Sequence, residues 1–108
     1  MIVRIWHTEI DPERVADYNA FARSKSLPMF RSQPGFRGVL FASQGAERSV
    51  ITLWADPAAV EALDRSPSYA ATVAEIEATG FLRGESWLEI FDADDGYLAD
   101  NALGDERD

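Results

Sequence analysis

The chain contains no cysteine and a single histidine. The first absence excludes disulfides, thiolate chemistry and cysteine-ligated zinc, and the second leaves His7 without a clustered imidazole partner for a metal site. Bases are scarce: 10 Lys and Arg stand against 19 Asp and Glu, for a net charge of -9. Such a chain repels phosphate backbones, which sets nucleic acid aside as a partner. No run approaches the ~20 apolar residues of a membrane span. Met1-Ile2-Val3-Arg4 enters a strand directly, without signal-peptide layout, so the reading is a cytoplasmic protein with no membrane partner. Gly-rich phosphate loops and nucleophile elbows are also missing. Asp92-Ala93-Asp94-Asp95-Gly96 looks like a calcium loop but places its glycine one position early, so no metal site is expected there.

What is present is a unit that occurs twice. Ile2-Val3-Arg4-Ile5-Trp6-His7 leads to Asp11-Pro12, and Val50-Ile51-Thr52-Leu53-Trp54 leads to Asp56-Pro57. Asp at an N-cap accepts orphan backbone N–H groups, and Pro at the first helical position lacks the N–H that would go unpaired, so each Asp-Pro marks a helix start. Strands are expected at 2–7, 36–43, 49–55 and 83–91, with a helix after each Asp-Pro. Pro28 should end or kink the first helix, and Ser66-Pro67 should break or kink the second. At 108 residues and 46% hydrophobic content the chain fits one core, here residues 1–91. Residues 92–108 carry seven acids and one base and read as an acidic C-terminal tail in which Tyr97, Leu98 and Leu103 are free to dock on a neighbour.

The order β-α-β-β-α-β implies an α+β, ferredoxin-like fold: a four-stranded antiparallel sheet with the helices on one face. In this reading strands one and three are parallel neighbours at its centre, which places His7 beside Trp54. Alternation makes both sheet faces apolar, and helices cover only one, so a homodimer formed sheet to sheet is expected. Trp6 shares a face with Arg4 and is expected to point toward the partner, and Trp54 toward the helices.

Tyr18 to Phe21, the Pro34-Gly35-Phe36 turn with Gly38 behind it, the strand end Leu53-Trp54-Ala55-Asp56 and Ser66-Pro67-Ser68-Tyr69 together resemble the antibiotic biosynthesis monooxygenase superfamily. The resemblance covers roughly residues 1 to 91 and implies a dimeric α+β barrel. Some members oxidise polycyclic aromatics with O2 and no cofactor, and some degrade haem. The cofactor-free branch has a Trp matched by Trp54, but its Asn four residues earlier is Val50 here. Positions the haem branch needs hold His7, Leu63 and Val73, so the axial His is missing and no haem cofactor is expected.

His7 is the one side chain whose ordinary pKa lies near neutrality, which makes it the candidate catalytic base; its plainer role is a strand-end His bonded to a loop. Trp54 is the candidate ring-packing wall, or simply core. Tyr18 and Tyr69 are candidate donors to substrate oxygens, or ordinary helix tyrosines. Arg83, at the start of the fourth strand, is a candidate substrate contact near His7, or a solvated strand-end charge. The expectation is a cofactor-independent monooxygenase-like protein acting on a small aromatic or quinol-type molecule, against a non-catalytic dimeric small-molecule-binding or stress-response barrel. A cavity of about 300 Å3 or more, lined by both His7 and Trp54, would favour catalysis.

Overall fold

The computed structural model describes residues 1–103, and the acidic residues Asp105, Glu106 and Asp108 of the expected tail lie outside them. The chain runs through β1 (Ile2–Ile10), a 3-10 turn (Pro12–Arg14), α1 (Val15–Phe21), a π-helical segment (Ala22–Ser26) and α2 (Leu27–Arg31). It continues through β2 (Phe36–Gln44), β3 (Glu47–Trp54), α3 (Pro57–Asp64), α4 (Pro67–Ala78) and β4 (Leu82–Asp92). Every expected helix start is capped. The Asp11 carboxylate accepts from the Glu13 N–H at 2.9 Å, Asp56 from Ala59 at 2.9 Å and the Ser66 hydroxyl from Tyr69 at 3.2 Å. Each such cap contributes about 0.5–2 kcal/mol.

Pro28 does not stop the first helical stretch, which continues to Arg31. A proline lacks its N–H and crowds the carbonyl four residues back. The turn ahead of it is widened instead, with the Leu27 N–H donating to Ala22 O across five residues. Ser66-Pro67 does break the second stretch, into α3 and α4.

The sheet is fully antiparallel in the order β2-β3-β1-β4. That corrects the expectation of parallel central strands. A crossover helix makes β1 and β2 parallel, and the tight hairpin then reverses β3, so β3 runs against β1 as well. Ile2 lies opposite Trp54, and His7 lies opposite Ser49. The register therefore separates His7 from Trp54 by five residues along the strand, about 17 Å at ~3.3 Å per residue, and puts them on opposite faces.

Even-numbered residues of β1 face the helices. Ile2, Arg4, Thr8 and Ile10 are buried, and Trp6 packs against two distinct core clusters. One cluster contains Ile2, Phe30, Val50, Trp54 and Leu63; the other contains Ile10, Tyr18, Ala22, Ile76 and Phe81. Trp6 thus points toward the helices, contrary to expectation. Arg4 misled the face assignment, since a charge beside Trp6 suggested an outer surface, yet Arg4 is only 3% exposed. The other face carries Trp87, Phe91 and Leu40, which are 56%, 49% and 46% exposed.

Candidate functional site

Between the sheet and the helices lies a cavity of about 100 Å3 at the seam of the two core clusters. β1 supplies Arg4 and Trp6, α1 supplies Tyr18, and α4 supplies Tyr69, Ile76 and Glu77. Phe30 and Val50 close the side nearest the first cluster. The π-helical segment contributes Ser26. That widened turn is thus both the accommodation of Pro28 and part of the cavity wall, a position where such turns frequently occur.

Arg4 is the most constrained group in the wall. One terminal nitrogen donates to the Tyr69 hydroxyl at 2.8 Å and lies 3.9 Å from the Asp64 carboxylate. Its Cζ sits 5.3 Å from the centre of the Tyr69 ring. The Nε–H is buried with no acceptor among the described residues. Tyr18, 3% exposed, packs edge-on to Phe81 and beneath the Arg48 guanidinium, whose Cζ is 5.7 Å from its ring centre. Burial raises the Tyr18 pKa above its ordinary value, and Arg48 offsets part of that rise. Its hydroxyl therefore stays protonated at neutral pH.

Of the residues singled out from the sequence, Tyr18 and Tyr69 share this cavity. Trp54 does not line it. It is fully buried in the first cluster, where its indole N–H donates to Thr52 Oγ1 at 2.8 Å. His7 lies across the sheet. Its Nε2 is 2.8 Å from Glu89 Oε1, its Nδ1 is 3.1 Å from Ser49 Oγ, and its ring stacks on Trp87 at 3.9 Å. A carboxylate only accepts, so Nε2 carries the proton and the Ser49 hydroxyl donates to Nδ1 in the neutral ring. Arg83 shares a separate groove of about 210 Å3 with His7, and is paired with Asp11 at 2.6 Å. Arg4 and Trp6 are the wall residues the sequence reading overlooked. The signal was available in Ile10, which closes the even-numbered row just before Asp11-Pro12 and marks that row as the core side.

No protein-family model matches the sequence, and no curated protein sequence matches it. Solved structures do. A monooxygenase from the gene ActVA-Orf6 of Streptomyces coelicolor, in complex with nanaomycin D, superposes with a TM-score of 0.76 at 16% identity, covering 92% of each chain. The fold is that of the antibiotic biosynthesis monooxygenases. SnoaB, a cofactor-independent oxygenase from Streptomyces nogalater, matches with a TM-score of 0.71 at 16% identity, over 88% of this chain and 94% of its own. A third structure, described as an antibiotic biosynthesis monooxygenase, gives 0.70 at 20% identity over 86% and 98% of the two chains. Among the described residues no helix is long and apolar enough to cross a membrane, and no group of three or more His, Cys, Asp or Glu is placed to hold a metal.

Proposed function

We propose that the protein is a cofactor-independent monooxygenase of a small aromatic or quinol-type substrate, working as a homodimer. The observation that carries this reading is the cavity itself: aromatic walls from Trp6 and Phe30, with the Tyr18 and Tyr69 hydroxyls and the Arg4 guanidinium beside them, in a fold shared with oxygenases. Its size restricts the substrate. At about 100 Å3 it lies below the ~300 Å3 set out above as favouring catalysis, and it is lined by neither His7 nor Trp54. It is also smaller than the roughly 150 Å3 that accommodates benzene, so the substrate in this reading is a single ring that extends into the mouth. Exposed Trp87, Phe91 and Leu40 on the open sheet face support the dimer, because large apolar side chains on an uncovered sheet face favour a covering partner.

In this reading Glu77, the carboxylate lining the cavity, takes the phenol proton, and the phenolate reduces O2. A C–O bond forms at a hydrogen-bearing ring carbon, para to the oxygen in a simple phenol and ortho to it in a hydroquinone, and the hydroperoxide loses water to give the quinone. One oxygen atom enters the product and the other leaves as water with the former ring and hydroxyl hydrogens. The test is O2 uptake with single-ring phenols and hydroquinones, followed by mass spectrometry after 18O2 labelling. Accelerated uptake with one labelled atom in the product, reduced in Glu77→Gln, is the expected result. Binding without O2 uptake would sink the assignment. That outcome would instead favour a non-catalytic small-molecule-binding barrel, the reading supported by the small cavity and by the position of His7 outside it.

A further inference from the structure

We propose that the cavity binds its ligand as an oxyanion held by Arg4. A guanidinium has five N–H donors and no acceptor, and it stays charged at any accessible pH. Here the protein offers that group little. The Tyr69 hydroxyl takes one donor, and Asp64, whose side chain is 58% exposed, stands at 3.9 Å on the solvent side. The Nε–H has no acceptor among the described residues, although the side chain is 3% exposed and borders the cavity. Burying a charged group with so few acceptors is unfavourable, and a phenolate or carboxylate entering the cavity supplies the guanidinium with a countercharge and a charge-assisted hydrogen bond.

The surroundings add to this preference. Apart from Glu77, whose carboxylate opposes an anion but sits on an exposed residue at the cavity's edge, the rest of the wall is mostly apolar, so Coulombic attraction to Arg4 is less screened there than in water. Tyr18 and Tyr69 place hydroxyl groups on the cavity wall that can donate to an anionic oxygen, and the ring of such a ligand has Trp6 and Phe30 to pack against. The inference uses the functional reading above only for the location of the ligand. Binding of a non-reacting anion tests it without any turnover.

The probe is 4-nitrophenol, whose phenolate absorbs separately from the phenol. Titrations on either side of its ionisation are expected to show the phenolate bound about tenfold or more tighter than the phenol, so that the bound ligand ionises at lower pH. Arg4→Met should abolish that preference. Asp64→Asn, a surface change that removes the competing countercharge, should increase it and serves if Arg4→Met fails to fold. Competition by benzoate but not benzamide would assign a carboxylate ligand, and competition by neither would assign a phenolate. Equal affinity for phenol and phenolate, a preference that survives Arg4→Met, or one unmoved in Asp64→Asn would overturn the proposal. Retained anion preference with no O2 uptake would leave this inference standing and remove the oxygenase reading alone.

Discussion

Replacing Tyr69 by Phe should destabilise the fold more than an ordinary surface substitution, for a reason located in Arg4. The change keeps the ring that lies 5.3 Å from the guanidinium and deletes only the hydroxyl that accepts from it at 2.8 Å. Arg4 already has an Nε–H with no acceptor among the described residues and is 3% exposed, so water has little access to replace the lost acceptor. A hydrogen bond to a charged group contributes about 1.5–3 kcal/mol, and that is the expected loss. In a domain of this size it lowers Tm by on the order of 10 °C. The decisive experiment is a double-mutant cycle by urea unfolding at fixed protein concentration. In an Arg4→Met background the hydroxyl has no cation to serve, and the same Tyr69→Phe change should cost at least about 1 kcal/mol less. Arg4→Met itself should be mild, since an apolar side chain of similar length in a buried charge site is often neutral or stabilising. A cost of Tyr69→Phe below about 0.5 kcal/mol, or an equal cost in both backgrounds, would refute the reasoning.

Three further outcomes follow from other parts of the structure. Gly35→Ala should cost about 2–4 kcal/mol, since the residue sits at φ +77° and a Cβ there would meet Ala59 Cβ at 2.5 Å. Gly45→Ala, at φ +60° in open space, should lose only the backbone part, about 1 kcal/mol, and similar losses for the two would contradict the steric account. Tyr18 has a folded-state pKa raised by burial, so its contribution to stability is full below the ordinary tyrosine range and is lost as pH rises through the folded value. Tyr18→Phe should therefore flatten the alkaline limb of a stability-versus-pH curve, and an unchanged limb would argue against it. His7→Ala should weaken association of two copies in sedimentation across a dilution series while leaving 4-nitrophenolate affinity within about twofold. Loss of that affinity in an intact dimer would return His7 to the site.

The helix starts, the hairpin and the break at Ser66-Pro67 were legible because each depends on neighbours in sequence: a cap, a fixed proline φ, a tight turn. Strand direction was not local. It required following the chain through a crossover and a hairpin; treating the two strand-Trp-Asp-Pro units as parallel copies carried His7 to the wrong end, and the charge of Arg4 beside Trp6 carried it to the wrong face. Tyr18 and Tyr69 fall on α1 and α4, one on each helical stretch as the helical periods imply, and both border the cavity. Arg4 could not be read from composition, since nothing in a single strand reveals that a guanidinium will be buried against a tyrosine 65 residues away.

The division of the core into two clusters has its physical origin in that same residue. Ile2 belongs to the cluster under α3 and Ile10 to the one under α1 and α4, while Trp6 between them packs against both. Arg4 interrupts the row. A guanidinium is poorly accommodated inside a continuous hydrocarbon core, because its donors need acceptors that aliphatic side chains do not supply. The helices consequently meet around it through a tyrosine hydroxyl and leave a cavity, rather than closing as one packed layer. A natural core that keeps a buried cation with an unpartnered N–H gives up stability that an apolar residue would recover. Such a sacrifice is common where a site must hold a ligand. The two strand-Trp units are therefore unequal for an electrostatic reason: Trp54 is sealed beside Thr52 in the continuous part of the core, and Trp6 is left lining the gap that Arg4 opens.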